Sequence, residues 1–169
     1  MSEQRPAKKP SESMTEMVQV VLPNDANPLG YLLGGTAMHL IDIAGAIAGH
    51  RHTRTPLVTA AVDGLQFLHP IKIGDLIILK ARVTAAWTTS LEVEVEVFAE
   101  ETLTGRRRMT SLAYLTFVAV DRESHRLPIP ALILENDDDR RRSQEAQVRR
   151  AERLRARTLL ETRFGPILN

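Results

Sequence analysis

The spacing of apolar side chains changes period once along this chain, near residue 57. Before it, "GGTAMHLIDIAGAIAGHRH" (34–52) sets Ala37, Met38, Leu40, Ile41, Ile43, Ala44, Ala46, Ile47 and Ala48 around nearly the whole circumference of a helix. That pattern predicts a helix over about 35–50, buried on every side. Asp42 is its one carboxylate. Arg51 and His52 stand at its C-terminal end, where positive charge complements the helix dipole. After it the period falls to two, and "LVTAAVDGLQFLHP" (57–70), "LIILKARVTAAW" (76–87), "SLEVEVEVF" (90–98) and "MTSLAYLTFVAV" (109–120) read as strands, with Gly64 at a candidate bulge. Leu91, Val93, Val95 and Val97 alternate with Glu92, Glu94 and Glu96, which predicts one face in a core and one in water. A hairpin closed by "TTS" (88–90) sets Arg82 opposite Glu94 and Lys80 opposite Glu96, pairs worth a few tenths of a kcal/mol on a wet face. The last strand is apolar on both parities, so its second layer is expected from another subunit.

Ahead of the helix, "MVQVVL" (17–22) is a further strand and "PNDANPLGYLLGG" (23–35) a conformationally specified loop. Residues 1–13 read as a disordered tail, 14–127 as the folded domain, and 128–169 as a Pro-rich exit followed by a charged helix over about 138–157. Asp137 to Asp139 begin that helix and arginines dominate its end, as the dipole favours; it is expected to lie mostly in solvent. One helix against consecutive strands is an α+β architecture, and its bare sheet edges favour dimerisation by edge pairing.

Composition narrows the chemistry. A hydrophobic content of 43% suffices for one core, and a formal charge of +1 gives no ground for nucleic acid or an acidic membrane as partner. The arginines of the last helix are nearly cancelled by its acids, and aromatics are scarce. There is no cysteine, which removes thiol nucleophiles, disulfides and cysteine-ligated metals. The polar start reads as neither signal peptide nor anchor, and no run approaches the ~18 apolar residues of a membrane span, so a cytoplasmic protein is expected.

Asp42 is the position that demands an explanation. A buried carboxylate costs several kcal/mol unless paired, hydrogen-bonded or protonated. Two readings stand: it locks the helix by accepting loop hydrogen bonds, or desolvation raises its pKa and suits it to general-base work. Asn27, before Pro28, is either a turn former or a neutral amide that orients a water or donates to an oxyanion. Gly34 and Gly35 open the helix, where free N–H groups form an oxyanion site. His39 lies three residues before Asp42 on the same face and reads as pocket-lining. No second ligand set at matching spacing accompanies it, and no metal is expected. There is no "GxSxG" elbow, which disfavours a serine acyl-enzyme.

Taken in order, "PNDANPLGYLLGGTAMHLIDIAGAIAGHRH", "LVTAAVDGLQFLHPIKIGD", "TTSLEVEVEVFAE" and "AYLTFVAVD" resemble the hotdog-fold acyl-CoA thioesterase family, over roughly residues 15–157. The resemblance implies a helix gripped by a curved antiparallel sheet, a dimer with one continuous sheet, and commonly a trimer of dimers, a hexamer, with acyl-CoA at the dimer interface. It implies hydrolysis to free acid and coenzyme A, as in fatty acid metabolism, with no cofactor beyond the coenzyme A of substrate and product. Asp42 matches the family's base or nucleophile, and Asn27 of one chain is expected to work with Asp42 of the other. Gly34, Gly35, His39 and Thr59 are expected around the substrate. Thr89 and Ser90 are expected near the nucleotide or pantetheine, although Trp87 stands where the family commonly has Arg, and Leu33 where it often has Phe. Arg106 and Arg108, with Arg107 between them, either meet phosphates or form a solvated basic turn. Two other readings are a non-catalytic acyl-CoA-binding module and a hotdog enoyl-CoA hydratase or dehydratase using His39 and Asp42.

Overall fold

The change of period at residue 57 is the passage from helix to sheet. Residues 6–166 are described in a computed structural model. Strand β1 (Thr15–Val20) precedes helix α1 (Gly34–Thr53). Strands β2 (Leu57–Phe67), β3 (Leu76–Ala86), β4 (Ser90–Glu100) and β5 (Arg107–Ala119) follow, then helix α2 (Asp137–Phe164). The sheet is antiparallel throughout in the order β1-β3-β4-β5-β2, so β2 is an edge. The expected bulge is present: Gly64 has φ +63° and the β2–β5 register shifts between Asp63 and Gln66.

Helix α1 lies on one face of this sheet, over Val93, Val95, Val97, Ala113, Leu115 and Phe117, all buried. Two glycines bring it close. A Cβ at Gly49 would fall 2.6 Å from Leu57 Cδ1, and one at Gly45 would fall 3.2 Å from the Phe117 ring. Within one chain the helix does not yet have the all-round burial expected from its composition. Gly35, Met38 and His39 are exposed and Asp42 is half-buried, because the sheet covers only one side.

The outer face of the sheet departs from expectation more sharply. The register is the expected one, Arg82 opposite Glu94 and Lys80 opposite Glu96, with Trp87 N–H donating to Ser90 O across the hairpin. That face is nevertheless dry at its centre: Glu92 is 0% exposed and Glu94 is buried, because α2 lies across them. Arg149 forks onto Glu92 at 3.0 and 2.7 Å, Arg142 pairs with Glu94, and Arg153 reaches Asp63 at 2.7 Å. Arg82, freed from Glu94, pairs with the buried Asp139. The Arg149 guanidinium stacks 3.5 Å above the Tyr114 ring, and Trp87 Nε1 donates to Gln147 at 3.0 Å. So α2, although mostly exposed as expected, is also a strap: its inner stripe packs on the sheet and supplies within the chain the outer layer over β5 that was expected from another subunit. It also runs longer than the expected 138–157.

The N-terminal tail is likewise ordered where it was expected to be disordered. Lys8 N–H donates to Ala131 O at 2.9 Å, Ile133 N–H donates to Lys8 O at 2.8 Å, and Pro10 and Ser13 are buried. Residues 1–5 of that expectation lie outside the described residues. The Pro-rich exit it pairs with also receives His52, fully buried, whose Nε2 lies 2.9 Å from Pro130 O. Burial holds the His52 pKa below the ordinary value, against the Pro130 carbonyl, which favours the charged form. Nδ1 meets no partner among the described residues, so a second proton there would be buried and unpaired. The unfolded chain takes up that proton near pH 6.5 and the folded one does not, so stability falls as pH drops through about 6.5, from its plateau above about 7.5. Urea midpoints between about pH 8 and about pH 5 should show this loss, and His52→Gln should flatten it.

Candidate functional site

The loop before α1 is built around Asn27. Its Oδ1 accepts the backbone N–H groups of Leu29 at 3.0 Å and Tyr31 at 3.1 Å, and Gly30, at φ +81°, lets the chain turn between them. With the carbonyl committed to the loop, the Nδ2 amide is the end that remains to meet a ligand. Asn27 lines a cavity of about 370 Å³ with Gly34, Phe67, His69 and Pro70.

Asp42 lines a second cavity, of about 350 Å³, with Gly35, Met38, His39, Thr59 and Val62. It meets Thr59 because β2 runs beside α1. Leu57 faces the helix at Gly49, so Thr59, two residues on, faces it too. Thr59 Oγ1 donates to Asp42 Oδ1 at 2.7 Å. The other carboxylate oxygen has no hydrogen-bond donor among the described residues, which leaves it for a water or substrate. Helix α1 begins between the two cavities, and its first amides, those of Gly34 and Gly35, have no partner within the helix. The Phe67 ring sits 3.6 Å from where a Gly34 Cβ would stand.

One protomer therefore brings Asp42, Thr59, Gly35 and His39 together and places Asn27 with Gly34 in a separate cavity. The other expected contacts lie at opposite ends of the sheet. Ser90 is opposite Val118 and Glu100 opposite Arg107, about 34 Å apart along β4 at strand rise. Thr89 and Ser90 line neither cavity. Arg108 reaches Pro70 O at 3.0 Å, beside the Asn27 cavity, and shares with Lys72 and Arg106 an open hollow of about 590 Å³. Arg106 is held by Glu101 at 2.9 Å and Arg107 by Glu100 at 2.7 Å. Thr89–Ser90 and the arginine turn of one chain thus do not reach a single phosphate group. Sequence reasoning missed Phe67 and Val62 as lining. The signal was the apolar alternation of β2, which is an exposed edge strand.

Comparison with known proteins gives these features a context. The family model of the thioesterase superfamily matches residues 29–105. The uncharacterized acyl-CoA thioester hydrolase YkhA of Bacillus subtilis is 37% identical over 128 residues, 76% of this chain and 74% of that protein. The human cytosolic acyl coenzyme A thioester hydrolase is 33% identical over 141 residues, 82% of this chain; the chain spans 37% of that protein's length. Among solved structures, an apo-hexameric acyl-CoA thioesterase superposes with a TM-score of 0.87 at 32% identity, over 92% of this chain and 99% of that one. An acyl-CoA hydrolase from Staphylococcus aureus, solved with butyryl coenzyme A and coenzyme A, gives 0.82 at 34% identity, over 93% and 98% of the two chains. The Staphylococcus enzyme has also been solved with one aspartate, one asparagine or one threonine changed to alanine.

Proposed function

The chain belongs to the hotdog-fold acyl-CoA thioesterase family, and from that premise we propose that it hydrolyses acyl-CoA with Asp42 as general base. The observation that carries this is the Asp42 carboxylate, pinned through one oxygen by Thr59 and open through the other to an apolar cavity at the start of α1. The acyl chain lies in that cavity, against Met38, Ile41 and Val62. A water held by Asp42 gives its proton to the free oxygen of the carboxylate while its oxygen bonds to the thioester carbonyl carbon. The carbonyl oxygen becomes an oxyanion, stabilised by the open amides of the helix N-terminus. The C–S bond then breaks, the Asp42 proton passes to the coenzyme A sulfur, and the free acid leaves.

Asn27 enters this reaction from a second copy. Its separation from Asp42 within one protomer, and the open β2 edge with Val58 and Val62 exposed, support a dimer whose sheet continues through β2. We extend this to a trimer of dimers, the size of the hexameric relative. No described helix is long and apolar enough to cross a membrane, and we place the enzyme in the cytoplasm.

The test is a panel of acyl-CoA esters with a free-thiol readout. Release of coenzyme A by the wild-type protein supports the reading. Tight binding without release would make it a binding module, and water addition to an enoyl-CoA would make it a hydratase. Within the same assay, Thr59→Val should lower kcat about tenfold with little change in KM, the loss of one charge-assisted hydrogen bond of ~1.5 kcal/mol. Thr59→Ser should keep most of the rate.

A further inference from the structure

The strap α2 does not end where the sheet ends. It meets β3 through Asp139 and Arg82, β4 through Arg142 and Arg149, β5 where Arg149 covers Tyr114, and the edge strand β2 through Arg153 and Asp63. Residues 154–164 therefore continue past the edge. Eleven residues measure about 16 Å of helix. The fourteen residues from Asp139 to Arg153 cross three strand gaps, about 14 Å, so the remainder projects about 11 Å, or two strands' width, beyond β2.

The composition of the strap changes at that boundary. Residues 137–153 hold one large apolar side chain, Val148, whereas the next eleven hold Leu154, Leu159, Leu160 and Phe164. At 100° per residue, Leu160 and Phe164 fall within about 20° of Arg153, on the stripe that faces the sheet through Arg142, Ala146 and Arg149. Upstream that stripe is covered, Ala146 completely; downstream Leu160 is 49% and Phe164 67% exposed. A sheet-facing stripe thus runs on as hydrocarbon where this chain has no more sheet.

We propose that the overhanging end of α2 seats Leu160 and Phe164 on the outer sheet face of a second copy of this chain, joined edge to edge at β2. This rests on the assembly given above, in which a second sheet continues where β2 leaves off. That face offers an apolar floor: Leu57 turns inward, so Val58 turns outward, half-exposed and paired in the ladder with Val118. Each copy presents the same floor to the other's helix end, which makes the contact reciprocal about the dimer axis.

The absence of cysteine gives a direct test. Single-cysteine variants Leu160→Cys and Phe164→Cys are labelled with a maleimide in the assembled protein and in the same protein unfolded in urea. Seating slows labelling in the assembly by about tenfold or more, the factor that ~1.4 kcal/mol of protection imposes. Equal rates at both positions overturn the proposal. A second variant, Leu160→Glu with Phe164→Lys, keeps the helix through its i,i+4 pair and removes the stripe. Its sedimentation should shift to smaller species at equal concentration, and a wild-type distribution overturns the proposal as well. A wild-type chain that hydrolyses acyl-CoA but labels freely removes this inference alone; one that is protected but inactive removes the enzymatic reading alone.

Discussion

Replacing Asp42 with asparagine removes nearly all turnover, by about 10²–10⁴-fold, the range that general-base catalysis supplies. The change is nearly isosteric, and the Thr59 hydroxyl still has an oxygen to donate to, so α1 keeps its seat beside β2. What disappears is the carboxylate that takes a proton from water and returns it to sulfur. The check is kcat on an acyl-CoA with a free-thiol readout, beside the sedimentation of the same preparation. Unchanged kcat in an intact assembly would remove Asp42 from the mechanism. A single turnover in isotopically labelled water identifies one covalent route: direct attack puts the label in the released acid, whereas an anhydride opened by water at the Asp42 carboxyl carbon puts it first in the protein.

Arg149→Met has the largest expected effect on stability. Glu92 lies fully buried under Arg149, which forks onto both of its oxygens; Thr84 supplies one further bond, at 2.7 Å. Removing the guanidinium strands a buried carboxylate, and breaking such a pair costs about 3–5 kcal/mol. We take ~3 kcal/mol, since Thr84 remains, which lowers Tm by roughly 6–12 °C for a chain of this size. Thermal melts at fixed protein concentration measure it, because assembly makes Tm concentration-dependent. Adding Glu92→Met should recover most of the loss, since two apolar side chains of similar volume can replace a buried pair at little cost. If the double variant melts no higher than the single one, the loss comes from the cover over Tyr114 and not from the stranded charge.

The two variants probe opposite faces of the sheet, and the faces were unequally legible. Strand alternation in β4, the bulge at Gly64 and the Arg82–Glu94 register could be read directly, because each is local or follows from a short turn. The dryness of Glu92 could not. A period-two row of glutamates looks the same whether it faces water or a helix of arginines, and hydropathy scores both polar surfaces as solvated. In α2, Arg142, Arg149 and Arg153 share one face, and that spacing was the available signal for a partner. On the inner face, Asp42 was conspicuous as a lone carboxylate among apolar residues. Its partner Thr59 is set by how β2 lies beside α1, which spacing along the chain does not encode. The all-round apolar surface of α1 is only partly covered within one chain. Met38 and His39 show that one side is left open, and the exposed edge of β2 lies on the same side.

The strap over β4 also shapes the response to heat. Contacts beneath α1 are hydrocarbon, and their contribution per unit area levels off as temperature rises. Contacts beneath α2 are ionic, and the cost of stripping water from their charges keeps falling on warming. The balance between the two layers therefore drifts outward with temperature: the warmer the cell, the larger the share of the fold carried by arginine and glutamate.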